Sequence, residues 1–399
     1  MGGSAVPPTG NAFFNRIYGF SYFLFRVNCV VYAAQYQIGL CTWIWRTLVT
    51  GRQKTEDAIM RLNVGIVGMG FMGRCHYGEY HAIKGAKLTA ICDVDPKKRT
   101  GDLSGAIGNI GMAGKKESLS GIKVYASAGK MLADPDIDVI DITLPTHLHA
   151  KYAIAAFKAG KHVICEKPMA RTSADANKMI VAAKKAGRRL FIAQCIRFWP
   201  AYVEARRIVQ SRKYGAVVSA VFNRMGGLPL WSWQNWLQVP EKSGLCALDL
   251  HIHDADYVLY LFGAPKAVTS LGGGLKKGRL DHIVTTYHYA DNKFVKAEGA
   301  WEYAPGYPFS MTFSIAMEKA TLMFGTDGKL MLMPRKGKMS QVKTEPVSAY
   351  GAELSHFLDC IRRNAQSKVV TPQDAAQSVR LVEAEVRSAL SGKTVKFRG

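Results

Sequence analysis

The chain has no C-x-x-C pair. Its eight cysteines (Cys29, Cys41, Cys75, Cys92, Cys165, Cys195, Cys246 and Cys360) are scattered through 399 residues. That argues against a zinc ribbon or a redox dithiol and fits reduced, mostly buried thiols. Acids are scarce: 30 Asp and Glu stand against 53 Lys and Arg, a net charge of +23. Such an excess often marks a nucleic-acid or membrane binder. Here the bases are dispersed, with only short clusters such as Lys97-Lys98-Arg99. Neither an arginine-rich tail nor an RNA-binding aromatic motif is present. The charge reads as a solvated basic surface, or as a field that draws in an anionic cofactor, and no specific nucleic-acid partner is expected. Internal repeats and low-complexity segments are absent. His147-x-His149 and His251-x-His253 have no acid or cysteine at a recognisable ligand spacing, so no metal is expected.

Long hydrophobic runs are also missing, apart from one ambiguous stretch. Residues 27–45 carry no charge but are interrupted by Asn28, Gln35, Gln37 and Thr42, and their length is near the minimum for a membrane span. Arg16 and Arg26 could flank an export signal, yet Arg26 cuts the apolar stretch. No small-x-small cleavage site follows, and this leader has no twin-arginine pair. Residues 1–59 do not conform to the rest, whereas Met60 opens a well-formed strand within two residues. The expectation is that residues 1–59 lie outside the fold, that Met60 is the functional start and that the protein is cytoplasmic. A membrane anchor or an export signal is the alternative if the leader is genuine.

What is present begins with a glycine turn. The apolar strand Leu62-Asn63-Val64-Gly65-Ile66-Val67 runs into Gly68-Met69-Gly70-Phe71-Met72-Gly73, and a second strand, residues 87–92, ends on Asp93. Gly68 permits the tight turn, Gly70 lets the backbone approach a pyrophosphate, and Gly73 lets the next helix pack close, its N-terminus facing the phosphate charge. Asp93 lies at the offset where an acid accepts from an adenosine ribose. It would repel a 2′-phosphate, which favours NAD, while Lys97, Lys98 and Arg99 leave NADP open.

From Met60 onward strands and helices alternate. Strand-like runs at 137–143, 162–165 and 190–194 are separated by helical spacing at 149–159 and 173–186, which predicts right-handed crossovers and a doubly wound parallel sheet over 60–195. Gly68, Asp93, Pro145, Glu166 and Gln194 all fall at strand carboxyl ends, where such sheets bind ligands. After residue 196 the pattern changes. A Trp-rich loop carries Trp231, Trp233 and Trp236, one helix is expected over 246–261, and strand-like runs with short connections cover 283–333. Residues 196–399 read as an α+β domain on a largely antiparallel open sheet.

Two constellations carry chemistry: Glu166-Lys167-Pro168, and Asp249-Leu250-His251-Ile252-His253-Asp254. Asp249 and His253, four apart, would share one helix face, and a carboxylate beside an imidazole raises its basicity and fixes its orientation. Each of these, taken alone, is more often a surface lysine or a local ion pair. Together with Pro145-Thr146-His147-Leu148-His149, the run Gly160-Lys161-His162-Val163-Ile164-Cys165-Glu166-Lys167-Pro168 and the glycine turn, they make residues 60–399 resemble the glucose–fructose oxidoreductase/inositol dehydrogenase/rhizopine-catabolism (Gfo/Idh/MocA) family.

The resemblance implies roles. Lys167, Asp249 and His253 would be the catalytic set, with His253 the proton acceptor. Gly68, Gly70, Phe71, Met72, Gly73, Asp93, Pro145, His147 and Glu166 would hold the cofactor, and Arg197 would contact it or support the site. It implies an NAD(P)-dependent oxidation of a secondary hydroxyl on a sugar, sugar acid or cyclitol, in a homo-oligomer (dimer or tetramer). The family also contains glycosidases that keep NAD bound and cleave by transient oxidation, and non-catalytic sensors. The Trp231, Trp233 and Trp236 side chains would stack on a sugar face or pack in the core. One departure is Lys242-Ser243-Gly244, a single glycine where the family often has a pair.

Overall fold

The computed structural model describes residues 60–109 and 114–399, so the expectations placed on residues 1–59 lie outside the described residues. Six strands form the first sheet: β1 (Leu62–Val67), β2 (Ala86–Cys92), β3 (Lys123–Tyr125), β4 (Val139–Ile142), β5 (His162–Glu166) and β6 (Leu190–Ala193). Their order is β3-β2-β1-β4-β5-β6 and every pair is parallel. The chain reverses direction of travel between β1 and β4, which opens a crevice at their carboxyl ends. The central strands are buried on both faces because helices cover both. β4, for example, is buried throughout.

The second sheet has nine strands: β7 (Val217–Gly227), β8 (Ala267–Gly273), β9 (His282–His288), β10 (Phe294–Tyr303), β11 (Ser310–Met317), β12 (Ala320–Phe324), β13 (Leu330–Pro334), β14 (Ser340–Gln341) and β15 (Val395–Lys396). Their order is β14-β13-β12-β11-β7-β10-β9-β8-β15, antiparallel except where β7 runs parallel to β10. β8 is a strand that the sequence reading passed over, because Gly272-Gly273 at its end reads as a loop.

The last two long helices return to the first sheet. Ala349–Arg362 lays Phe357 against Phe191 of β6, ring centroids 5.0 Å apart. Pro372–Ser391 brings Glu383 to Ser173, whose amide and hydroxyl donate to its two carboxylate oxygens at 2.8 and 2.7 Å. These contacts tie both C-terminal helices to the first sheet's layer. Among the described residues no helix is long and apolar enough to cross a membrane.

One expected element is broken. In place of a single helix over 246–261 there are two, Leu245–Asp249 and Ile252–Phe262, with Leu250 and His251 between them. Asp249 and His253 therefore do not share one continuous helix face.

Candidate active site

A cavity of about 790 Å³ runs from the carboxyl ends of β1, β2, β4 and β5 to the loop after β7. Its nucleotide end is built by the glycine turn. Gly68 holds φ +99° and donates its amide to the Cys92 carbonyl at 2.8 Å. A Cβ on Gly73 would sit 1.9 Å from the Gly68 carbonyl oxygen, whereas one on Gly70 would meet nothing within 4 Å. The helix Phe71–Tyr80 starts there with no side-chain cap and no acid in its first turn. Open amides and a bare backbone at a helix N-terminus fit an anionic pyrophosphate. Asp93 is buried, accepting from the Met69 amide (2.7 Å) and the Asp95 amide (2.8 Å), with Lys98 Nζ 3.7 Å away. Arg99 turns back to donate to the Asp93 and Val94 carbonyls. Gly68, Gly70, Phe71, Met72, Asp93, Pro145 and Glu166 line the cavity.

The second end of the cavity gathers Lys167, Asp249 and His253. The peptide between Lys167 and Pro168 is cis. The break after Asp249 leaves that residue's carbonyl without a continuing helix, and Lys167 Nζ donates to it at 2.7 Å, with Asp249 Oδ1 3.5 Å away. The carboxylate that was expected to raise the basicity of His253 is thus paired with Lys167. His253 itself is half-buried, and its Nδ1 has no hydrogen-bond partner. Burial, then the charges of Lys167 and Arg224, hold its pKa well below the ordinary histidine range. It is neutral at pH 7 and able to take a proton. His149 joins the two loops that carry these groups, with ring nitrogens 2.7 Å from the Leu144 carbonyl and 2.8 Å from the Pro168 carbonyl.

The single glycine before this segment has a structural consequence. Gly244 (φ +78°) is followed by Leu245 at φ +58°, a left-handed conformation that a leucine rarely takes. Its side chain is held in an apolar cluster with Leu237, Cys246, Leu250 and Trp301.

Arg197 and His147 do not line the cavity, and Gly73 acts by packing. Arg197 is buried and turned from the cavity. Its Nε and Nη2 each lie 2.8 Å from an Asp256 oxygen, and Nη1 donates to the Val369 carbonyl at 2.8 Å. A guanidinium matched to a buried carboxylate has no free fork for a ligand. Arg197→Lys, which keeps the charge but not the bidentate geometry, is expected to cost about 1–3 kcal/mol of stability and to leave the NAD dissociation constant unchanged. Urea unfolding and cofactor titration check the two halves. His147 does not line the cavity. Burial, then the charges of Lys242 and His149, lower its pKa. Trp231, Trp233 and Trp236 all line the cavity, and Trp231 meets Phe71 edge-on at 6.0 Å.

Several residues that shape the site were not anticipated. His76, three residues after Gly73 on the same helix, is buried between Asp141 (Nδ1 to Oδ2, 2.8 Å) and Glu166 (Nε2 to Oε1, 3.1 Å). The other Glu166 oxygen accepts from the Lys167 amide at 3.0 Å. The spacing Gly73-x-x-His76 and the lone acid in Val139-Ile140-Asp141-Ile142 were the available signals. Arg224, also on the cavity wall, is neutralised by Asp254 at 2.8 and 3.1 Å. Trp301 Nε1 donates to Asp281 at 2.8 Å. Among the described residues no cluster of His, Cys, Asp and Glu is arranged to hold a metal.

Comparison with known proteins gives two family matches. The model described as "Oxidoreductase family, NAD-binding Rossmann fold" covers residues 62–194, and the "GFO/IDH/MocA C-terminal domain" covers residues 202–330. A D-apiose dehydrogenase from Paraburkholderia graminis is 24% identical over 360 residues, 86% of this chain and 92% of that protein. An NAD(+) scyllo-inositol 2-dehydrogenase from Bacillus subtilis is 26% identical over 356 residues, 84% of this chain and 96% of that protein. Among solved structures, a levoglucosan dehydrogenase in complex with NADH and levoglucosan superposes with a TM-score of 0.72. It is 24% identical and covers 85% of this chain and all (100%) of that one, a likeness of fold.

Proposed function

Because the chain belongs to the Gfo/Idh/MocA oxidoreductase family, we propose that it oxidises a secondary hydroxyl of a sugar, sugar acid or cyclitol, with Lys167, Asp249 and His253 handling that hydroxyl. The observation that carries this reading is the meeting of those three side chains in one cavity with the Gly68–Gly70 turn. The glycine turn and Asp93 would hold the dinucleotide. Bound NAD supplies the hydride acceptor.

The chain's own groups do the rest. Lys167, anchored by the Asp249 carbonyl and carboxylate, presents an ammonium that orients the substrate oxygen. His253, kept neutral by its surroundings, accepts the hydroxyl proton. Asp249 acts on this chemistry through Lys167. The domain division at 195/196, self-association through the open face of the nine-stranded sheet and a cytoplasmic location belong to the same reading.

The test uses residues 60–399 with NAD and a panel of sugars, sugar acids and cyclitols, following reduced-nicotinamide absorbance. Signal on one substrate class, lost in Lys167→Ala, is the expected result. Silence across the panel with cofactor co-purifying would point to a glycosidase that retains its NAD or to a substrate outside the panel.

A further inference from the structure

The cavity wall is unusual for a site that reads polyols. Besides Lys167, Asp249 and His253 it carries Trp231, Trp233, Trp236, Trp301, Phe309 and Leu237, with Trp231 edge-on to Phe71 of the glycine-turn helix. Several polar groups there are already engaged. Arg224 has its Nε and Nη2 on Asp254 and its Nη1 on Met311 Sδ. The Trp301 indole N–H is given to Asp281, and Ser232 Oγ accepts from the Leu237 amide at 3.3 Å. A free sugar or cyclitol carries a hydroxyl on nearly every carbon. Each one buried without a partner opposes binding. Besides the Ser232 hydroxyl hydrogen and the indole N–H groups of Trp231, Trp233 and Trp236, the side chains left to meet hydroxyls are gathered at the reacting end.

The tryptophans at the mouth are held there by a built framework. Trp231 and Trp233 are 38% and 44% exposed, beside Leu230 at 55%. Their loop is pinned at its far end: Arg279 donates to the Gln238 carbonyl (2.8 Å) and Oε1 (3.0 Å), Ser243 Oγ donates to the Leu237 carbonyl at 2.8 Å, and Leu237 is buried against Trp301. Gln234 and Asn235 take left-handed backbone (φ 50° each), turning the chain so that Trp233 and Trp236 both reach the cavity. Exposed aromatic surface on a fixed loop at a cavity mouth is what an apolar part of a ligand covers.

We propose that this aromatic wall forms an aglycone subsite, and that the substrate is a glycoside whose sugar ring presents its hydroxyl to Lys167 and His253 while an aromatic aglycone lies among Trp231, Trp233 and Trp301. The inference rests on the hydroxyl-oxidation reading above and narrows its substrate class. Offset or edge-on stacking gives such a group its orientation as well as its affinity. No new chemical step is involved.

The experiment compares phenyl and methyl glycosides of matched sugars (gluco, galacto, manno and xylo) with the free sugars and myo-inositol. Turnover is read as reduced nicotinamide, and binding to the NAD-loaded protein is read separately by calorimetry. The expected result is a kcat/KM at least about tenfold higher for one phenyl glycoside than for its methyl counterpart, with Trp233→Ala bringing that ratio toward one. Equal or better turnover of methyl glycosides or free polyols would overturn the subsite and leave the dehydrogenase reading standing. If nothing is turned over but a phenyl glycoside binds about tenfold more tightly than its methyl partner, and Trp233→Ala removes the difference, the subsite stands and the reaction assignment falls. Absence of any phenyl preference in binding overturns the subsite.

Discussion

Lys167→Ala is expected to lower kcat by about 10²–10⁴ and to leave the NAD dissociation constant within about twofold. The cofactor half follows from position. Lys167 reaches across to the Asp249 carbonyl, while the glycine turn and Asp93 are built by β1 and β2. The rate half follows from charge. An ammonium beside the substrate oxygen stabilises the negative charge that develops as the proton leaves, and a methyl group supplies none of this. A second readout separates this role from simple disruption of the fold. Lys167 is one of the charges that hold down the His253 pKa, after burial. In the variant the His253 pKa should rise, so the acid limb of the residual activity should move to higher pH. Loss of cofactor affinity equal to the loss of rate, or an unmoved acid limb, would count against Lys167 as the group facing the hydroxyl.

The nucleotide half of the fold was legible because its signals are local. A strand, three glycines, a helix and a spaced acid occupy 32 consecutive residues, 62–93, and each follows from backbone sterics or a fixed period. The alternation of short apolar runs with helical spacing likewise gave the parallel sheet. The candidate site was legible as residue types and less so as pairings. Asp249 and His253 are four apart, but sequence spacing does not reveal that the helix stops between them, because Leu250 and His251 are not breakers. The break is imposed by tertiary packing, with His251 buried 3.1 Å from Glu385 and pressed against Gly299 of β10. The pairing of Arg197 was hidden for the complementary reason. Its partner Asp256 lies 59 residues away, and no local pattern announces a buried bidentate pair. From sequence the tryptophans read as stacking on a sugar face or as core or interface packing; all three line the cavity and Trp236 also packs against the Leu237–Trp301 cluster, an arrangement that depends on a loop held at Gln238 by Arg279, 41 residues farther on.

His76 is where sequence reasoning left the most unseen, and its replacement carries the second large expected effect. Its ring lies between Asp141 and Glu166, and Tyr80 donates to the same Asp141 oxygen at 2.8 Å. Glu353, both oxygens buried and unpartnered, faces the same group; burial, then the charge of Glu166, hold its carboxyl well above the ordinary range. Burial alone would lower the His76 pKa, but Asp141 and Glu166 outweigh it and raise it well above 6.5. The imidazolium is the charge that lets two carboxylates lie in the interior. His76→Phe removes it from both, so the loss should reach or exceed the roughly 3–5 kcal/mol typical of breaking one buried pair.

The pH dependence has a definite sign. A histidine whose folded pKa is raised contributes its full stability below its unfolded value, about 6.5, and loses that contribution as pH rises through the folded value. Unfolding free energy measured by urea between pH 6.5 and 9 should therefore fall, with His76 supplying a slope of up to about 1.4 kcal/mol per pH unit. His76→Gln, which retains a polar side chain, should flatten that window by the same amount. Parallel slopes in the two proteins would mean that His76 is neutral in the fold. Glu166 would then be oriented by a hydrogen bond, without the ion pair that ties the interior to the Lys167 turn.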